Sequence, residues 1–406
     1  MCLGSELSVR KYLPGLLALL TAYVLVYVHR VAMAVMTPEL SELFAEGNIS
    51  AEFIVSQITA AYFYAYALMQ IPGGVLADVL GIKRYTSLSL LLLFVGSLLF
   101  TPLNPLLMIT GRVLIGAGAA AIFISLQRFI AVFHSKDVGA RITGVALTAG
   151  NIGAILATAP LRFLVGYAGI VITFVVLAVP AILLSLQTYL QIPDLGISAR
   201  LGFKDSIKVT LKQLRVVASS IHSWSLGIAL ATTYGSTLAF QSYWGLRYFM
   251  SVGGVDENTA SLFLMVVAMT FAAATPVVGH VSDKVVRGRK PVLLVAPIFQ
   301  AAAWGFLYAL LIKSELQSAP LISIAAATLG AASAVHIVIA PMAREIYDRE
   351  YSGTSFAFVN FLGFLGAALL ETLVPLVGGL MQVILLIYVA INLVASILVR
   401  FTRESM

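Results

Sequence analysis

Three ionisable side chains stand inside long apolar stretches of this sequence, where an isolated charge is unfavourable. They are Arg30, Arg112 and Glu371, and hardly another charge flanks them for ten residues on either side. A guanidinium is a permanent cation whose forked donors match a carboxylate or a phosphate. A carboxyl in apolar surroundings can carry a proton. These residue types predict an anion-binding site beside a proton carrier.

Other residues of the same stretches could complete such a site. Tyr27 precedes Arg30 by almost one helical turn, and Gln241 and Trp244 form an amphipathic group on a later stretch. His29 and His336 are alternative proton carriers, because the ordinary pKa of histidine is near neutral. The competing interpretation is structural: the arginines would bond helix carbonyls or pair with Glu371. For Arg128, Arg162 and Arg247, nearer the stretch ends, snorkelling is the simpler explanation.

The amino-acid composition indicates that these apolar stretches lie in a membrane. The chain has 406 residues, of which 60% are hydrophobic and 11% are charged. A soluble domain is about 45–50% apolar and about 25% charged, so soluble and disordered classes are excluded. Its single cysteine, Cys2, rules out a disulfide framework. Near-continuous apolar runs indicate membrane-spanning helices rather than the alternating strands of a barrel.

Twelve such segments predict an all-α membrane protein of two pseudo-symmetric six-helix bundles. We place the N-terminal bundle at 1–191, a cytoplasmic amphipathic linker at 192–222 and the C-terminal bundle at 223–406, with basic residues and Asp194 in the linker. The segments run near 12–37, 53–77, 86–103, 106–132, 139–165, 167–191, 223–250, 258–282, 290–312, 318–342, 354–378 and 380–400.

Lysines and arginines are sorted to one side of these segments. Most of the 25 fall in gaps on the side of the N-terminus, whereas Glu39, Glu42, Glu46 and Glu257 are on the other side. The positive-inside rule then predicts a protein of the cytoplasmic membrane with both termini cytoplasmic. The net charge of +7 thus reflects topology in a lipid bilayer and requires no nucleic-acid partner. At 1.5 Å per residue, Arg30, Arg112 and Glu371 all lie roughly 10 Å from the outer face.

One loop motif occurs twice. After the second segment the chain reads Gly74-Val-Leu-Ala-Asp78-Val-Leu-Gly81-Ile-Lys83-Arg84, and after the eighth it reads Gly279-His-Val-Ser-Asp283 and continues to Arg289. The glycines and aspartates of the two copies are 205 residues apart, and the second copy has two extra residues before its last glycine. A repeated signature at one joint of each half indicates a duplicated architecture with a gating loop in each half.

This motif, with twelve segments and a central basic loop, resembles the signature of the major facilitator superfamily. The resemblance implies a transporter in which Asp78 stabilises one conformation through charge contacts across the cytoplasmic seam. Arg112, Gly116 and Gly118 resemble a second pattern of the family, whose arginine handles substrate or protons. Tyr27-Val-His-Arg30 followed by Pro38 is similar to the organic-anion and organophosphate branches. Ala119 stands where several such members have a glutamate, and the Gly-Pro pair typical of drug antiporters is missing from the fifth segment.

The predicted function is secondary transport of a small anionic metabolite by alternating access, with proton coupling and symport. A monomer is expected, without cofactor or metal, and the absence of nucleotide, metal and hydrolase motifs argues against an enzyme. Two alternatives stay open. One is a proton-driven exporter of hydrophobic or cationic compounds, and the other is a non-transporting receptor on a transporter scaffold.

Overall fold

A computed structural model describes residues 2–47, 49–193 and 202–404, and within these ranges the chain is helical without strands. The helices of the N-terminal half are, in chain order, α1 (Cys2–Val31), α2 (Thr37–Leu43), α3 (Ala51–Leu68), α4 (Gln70–Leu98), α5 (Pro105–Phe133), α6 (Lys136–Leu156) and α7 (Ala159–Gln191). A 3-10 stretch, Ala32–Met36, joins α1 to α2.

The remaining helices include a linker and several irregular spans. They are α8 (Phe203–Ala218), α9 (Ile221–Leu230), α10 (Ser236–Ala239), α11 (Gly245–Gly253), α12 (Glu257–His280), α13 (Arg289–Ile312), α14 (Ala319–Ala334), α15 (Ile339–Glu345), α16 (Arg349–Leu376) and α17 (Met381–Leu398). Stretches of π-helix, Ala231–Gly235 and Phe240–Trp244, connect α9, α10 and α11 into one span. A 3-10 stretch, Val335–Val338, connects α14 to α15. Further short stretches are Val281–Val286 (π), Ser314–Leu316 and Val399–Phe401 (both 3-10).

The described helices account for twelve membrane spans. Nine are continuous apolar helices long enough to cross a bilayer, and Ile221–Gly253, bent 87° from α8, makes a tenth. Gly81 and Gly169 take non-helical backbone angles inside α4 and α7, which therefore turn between two spans. The second and fifth spans are interrupted at Met69 and at Ala157–Thr158, so neither appears as one continuous helix. The all-α membrane fold predicted from sequence is confirmed.

Helix α8 occupies the segment predicted as an amphipathic linker. Its lysines are exposed, while Ser206 and Val217 are buried against the bundles. Thr354 of α16 donates a hydrogen bond to Gln213 of α8 at 2.7 Å. Asp194 and Arg200, which the sequence places in this linker, lie outside the described residues. The bundle boundaries at 191 and 223 stay a prediction.

The two copies of the repeated motif turn the chain differently. Gly81 has φ +73° and ψ 163°, a region that is essentially restricted to glycine. The second copy reaches the same turn through the π-helical stretch Val281–Val286 and then Arg287, which is left-handed at φ +53°. Gly288 is extended, at φ −170°. The two extra residues of the second copy thus shift the left-handed position from a glycine to an arginine.

Gly81→Ala should therefore be destabilising. Forcing a Cβ into this backbone region costs about 1–3 kcal/mol, and we expect the Tm of the detergent-purified protein to fall by several degrees. Gly74→Ala is the matched control, because a Cβ at helical Gly74 meets no atom within 4 Å and alanine favours a helix. Equal Tm values for Gly81→Ala and Gly74→Ala would contradict this account.

Candidate functional site

Arg30 lies in a cage of aromatic rings between the two halves. Its side chain is buried, and its guanidinium carbon is 4.2 Å from the ring centre of Tyr27, 5.0 Å from Tyr66 and 5.1 Å from Phe364. The first two rings belong to the N-terminal half and the third to α16. Ring faces attract a cation, which offsets part of its desolvation without neutralising it. No carboxylate pairs with Arg30 among the described side chains.

Arg112, on the fourth span, is fully buried and lines neither of the two cavities described below. Its Nη1 donates a 2.7 Å hydrogen bond to the backbone carbonyl of His29, and its guanidinium stacks 4.6 Å from the ring centre of Tyr62. Nε and Nη2 are buried without hydrogen-bond partners. The glycines of its motif explain this position, because Gly116 packs on the Tyr62 backbone and Gly118 on the Ser89 backbone too closely for any Cβ.

Glu371 is the acidic neighbour of Arg112. Its side chain is fully buried, Ser242 donates a hydrogen bond to its Oε1, and Oε2 has no partner. The Ser56 hydroxyl donates to its backbone carbonyl at 3.0 Å, which joins the second span to the eleventh. The positive charge of Arg112 attracts the Glu371 carboxylate. The structure therefore places Arg112 beside Glu371 and bonds Arg112 to His29, the residue before Arg30.

A cavity of about 580 Å³ begins at Arg30 and extends to Asp283 and Arg289, in the second copy of the motif. Nine of the residues that line it are aromatic, namely Tyr23, Tyr27, Tyr66, Phe123, Tyr234, Phe271, His336, Phe356 and Phe364. A second cavity of about 450 Å³ shares Tyr66, Phe123, Gln127, Arg344 and Phe356 with the first. It reaches Asp78 and is lined on one side by α8. Both cavities extend to the basic face, meaning the face with the two motif loops.

The opposite face is closed by bonds between the halves. Arg247 pairs with Glu52 at 2.7 Å and donates to the Ser41 hydroxyl at 3.0 Å. The Tyr243 hydroxyl donates to the Glu52 carbonyl at 2.8 Å, and the Thr37 hydroxyl donates to the Tyr243 carbonyl at 3.1 Å. We name these residues the Glu52–Arg247 gate. Arg162 pairs with Glu39 at 2.5 Å within the N-terminal half. Neither Arg162 nor Arg247 is merely a snorkelling residue.

The motif loops at the basic face pair within their own halves. Asp78 forms an ion pair with Arg128 of α5, and Asp283 pairs with Arg289 at 3.8 Å. Arg289 also pairs with Glu345 at 2.6 Å. The predicted charge contacts across the seam are not formed between these described residues, in keeping with a cavity that extends to this face. Arg128 therefore has a defined acidic partner.

Other residues of the two motif loops contact neighbouring helices or line the cavities. The Lys83 ammonium lies 4.6 Å from the ring centre of Tyr189, and Arg84 also has a partner. Gly74 lines the second cavity and Gly279 the first. The Glu404 carboxylate accepts hydrogen bonds from the backbone N–H groups of Arg289 and Lys290, both at 3.1 Å. The chain after the last span thus caps the start of α13.

Three predicted residues lie away from the cavity. Trp244 packs among Phe240, Trp304 and Tyr388 in the core of the C-terminal half, and Gln241 is buried beside it. His29 has Nε2 3.5 Å from the Ser97 hydroxyl. None of the three lines either cavity in this conformation. Their substrate and proton roles are not tested by this placement.

Sequence reasoning missed Arg344. It stacks 4.0 Å from the ring centre of Phe356 and lines both cavities without a carboxylate partner among the described side chains. Its spacing gave no clear signal, because the 3-10 stretch Val335–Val338 precedes α15 and the consecutive residues 336–341 also line the first cavity. Phe271 and Phe364 were also missed, since a phenylalanine in a span usually packs against lipid or another helix.

A cavity between two helical bundles that is closed at one membrane face defines a multi-span membrane transporter. The family model for the Major Facilitator Superfamily matches residues 16–371. The chain therefore belongs to the major facilitator superfamily, and it is a secondary transporter rather than an enzyme. As in that superfamily, a small-molecule substrate binds within the membrane.

Solved structures of low sequence identity share the whole fold. A D-xylose-proton symporter has 16% identity and a TM-score of 0.78, covering 97% of this chain and 99% of its own. The xylose transporter XylE from E. coli, partially occluded and inward open, has 13% identity and a TM-score of 0.75, covering 95% and 98%. A bacterial homologue of the human lysosomal transporter Spinster has 17% identity and a TM-score of 0.71, covering 96% of each chain. No curated protein matches the sequence.

Breaking the Glu52–Arg247 gate should open the opposite face. The pair is half-buried and worth about 1 kcal/mol, so Arg247→Glu should shift the conformational equilibrium roughly fivefold. Spin labels at Leu106→Cys and Glu315→Cys, in a Cys2→Ser background, report the distance between the halves there. We expect a longer-distance population in Arg247→Glu and its reversal in the double swap Glu52→Arg, Arg247→Glu.

The matched control removes an ion pair that does not join the halves. Lys208→Gln breaks the exposed pair with Asp205 on α8 and should leave the distance distribution unchanged. An Arg247→Glu distribution identical to that of the parent would show that this pair does not hold the face closed.

Proposed function

We propose that this protein transports a small organic anion by alternating access and couples that transport to protons. The observation that supports it is the pair of guanidinium groups, Arg30 and Arg344, that line one cavity without a carboxylate partner among the described side chains. Asp283 and Glu345 also line it and share one cation, Arg289, so the five charged side chains of the lining sum to +1. The cavity is therefore left with positive charge that a bound anion would neutralise.

The conformation suits release or capture at the basic face. By the positive-inside rule we assign this face to the cytoplasm, with both termini there and the protein in the cytoplasmic membrane. The Glu52–Arg247 gate then closes the external face. In the alternate state the gate would open and the loops of Asp78 and Asp283 would meet across the seam. We propose a monomer in the bilayer as the working unit.

Proton coupling is assigned to Glu371 with Arg112. When Glu371 takes a proton, its attraction for Arg112 ends, while the hydrogen bond from Ser242 can persist. Arg112 holds the carbonyl of His29, the residue just before Arg30. A change in the Arg112–Glu371 pair therefore acts on the backbone that carries the anion-binding side chain. His29 is the alternative carrier on the same turn.

Export of hydrophobic or cationic compounds is the competing function. The aromatic residues of the cavity lining would suit a hydrophobic compound, but the net positive charge of the lining repels a cation. Drug-resistance tests in an exporter-deficient host separate the two functions. A receptor without transport would bind ligand in vesicles and show no flux.

Arg30→Gln should weaken anion binding strongly. Loss of a charge-assisted hydrogen bond costs about 1.5–3 kcal/mol, so affinity should fall about 10- to 100-fold. The probes are benzoate, lactate, succinate and glycerol 3-phosphate, with D-xylose as the neutral comparison, in a thermal-shift screen followed by uptake into proteoliposomes. Arg215→Gln on exposed α8 is the matched control. Undiminished anion uptake by both Arg30→Gln and Arg344→Gln would refute the proposal.

Glu371→Gln should uncouple transport from protons. We expect it to retain exchange of the best anion across the bilayer within about twofold, since the amide keeps the shape of the site. Accumulation driven by an acidic exterior should be lost, because the amide carries no proton. Uptake with and without a pH gradient measures this, with Glu315→Gln on an exposed loop as control. Normal gradient-driven accumulation by Glu371→Gln would exclude Glu371 as the carrier.

A further inference from the structure

Beside Arg30 the cavity wall carries three near-parallel rings from three spans. The rings of Tyr234 and His336 are 4.1 Å apart with 16° between their planes. Phe271 is 5.7 Å from each, at 13° to His336 and 20° to Tyr234. All three line the first cavity, and we name them the ring wall. The three stacked rings therefore add aromatic surface to the lining of the cavity.

The ring wall is continuous with the cation of the site. The positive charge of Arg30 interacts electrostatically with the Tyr234 hydroxyl. The ring centre of Phe364 is 5.1 Å from the Arg30 guanidinium carbon and 6.5 Å from the ring centre of Tyr234. A ligand whose anionic group reaches Arg30 would therefore have its body beside these rings. Tyr66 and Phe364, 4.4 Å apart, add further aromatic surface next to the guanidinium.

His336 adds a polar group with a defined direction. Its Nδ1 lies 2.5 Å from the Ser333 carbonyl, which can only accept, so Nδ1 carries the hydrogen. In the neutral ring Nε2 is then an acceptor. Nε2 forms no hydrogen bond with the described residues, and the side chain is only partly buried. The imidazole thus offers one acceptor to the cavity, within the ring wall.

Two members of the ring wall come from irregular stretches. Tyr234 belongs to the π-helical stretch Ala231–Gly235, and His336 to the 3-10 stretch Val335–Val338. Such interruptions of an α-helix rotate side chains away from the regular spiral and recur at functional sites. Here they bring two rings from the seventh and tenth spans into a stack that regular helices would not dictate.

We infer that the substrate is an aromatic carboxylate whose ring bears a hydrogen-bond donor away from the carboxyl. This inference rests on the proposed anion transport and names its substrate class. The carboxylate binds Arg30, the ring lies against the ring wall, and the donor reaches Nε2 of His336. Lactate or a sugar phosphate has no aromatic ring to pack against the ring wall. An unsubstituted aromatic acid has no donor for Nε2 of His336.

Binding of three matched acids to the wild-type protein tests the class. Isothermal titration in detergent compares 4-hydroxybenzoate, benzoate and cyclohexanecarboxylate, the last having the same size and charge without a flat ring. Aromatic contacts add enough affinity that benzoate should bind about 3- to 10-fold more tightly than cyclohexanecarboxylate. 4-Hydroxybenzoate should bind about 5-fold more tightly than benzoate through one further hydrogen bond.

Substitutions at His336 separate its two contributions. His336→Phe keeps a ring and removes the acceptor, so it should bind benzoate normally and lose the preference for 4-hydroxybenzoate. Phe271→Leu shortens the ring wall and should weaken both aromatic acids while leaving cyclohexanecarboxylate unchanged. The wild-type comparison does not depend on the folding of either variant.

The outcomes distinguish this inference from the function on which it rests. Equal affinities for benzoate and cyclohexanecarboxylate, with both dependent on Arg30, would overturn the aromatic class and leave anion transport standing. An unchanged hydroxyl preference in His336→Phe would overturn the role of Nε2. The six anions to be tested are the three acids, lactate, succinate and glycerol 3-phosphate. If none of them bound in a way that depends on Arg30, both the proposed function and this inference would be refuted.

Discussion

The hydrogen bond from Arg112 to the backbone carbonyl of His29 is the contact on which the site depends. It joins the fourth span to the first at the residue before Arg30, and it leaves Arg112 facing the Glu371 carboxylate. A buried guanidinium is stabilised by hydrogen bonds and by a countercharge, and here the His29 carbonyl and the Glu371 carboxylate supply them. Three spans from both halves thereby meet at one buried polar cluster, directly beyond the closed end of the cavity.

Much of the fold was predictable from sequence, for physical reasons. Apolar runs of about 20 residues can only be spanning helices, and the twelve predicted segments match the spans closely. The charges of Arg30, Arg112 and Glu371 were informative because burying a charge is costly and persists only with a partner or a cavity. The ion pairs of Arg128, Arg162 and Arg247 were not predicted, since spacing along the chain does not show which helices touch.

The aromatic part of the site was harder to predict for a different reason. Rings are common in membrane helices, so Phe271, Phe364 and Trp244 looked alike in sequence. Helix irregularity alone does not separate them: π and 3-10 stretches carry Tyr234 and His336 at the cavity, but Trp244, also in a π-helical stretch, packs into the core. No propensity of the individual residues indicates these stretches. The structure thus divides equally hydrophobic residues into cavity wall and bundle core.

Glu404 carries a consequence for handling the protein. Because its carboxylate caps the start of α13, the chain beyond the last span is bonded to the loop that contains Asp283 and Arg289. An affinity tag fused close behind this glutamate would compete for those backbone N–H groups. Tags are better placed at the other terminus, and proteolytic trimming at the C-terminal end would loosen one side of the cavity mouth before it affected any span.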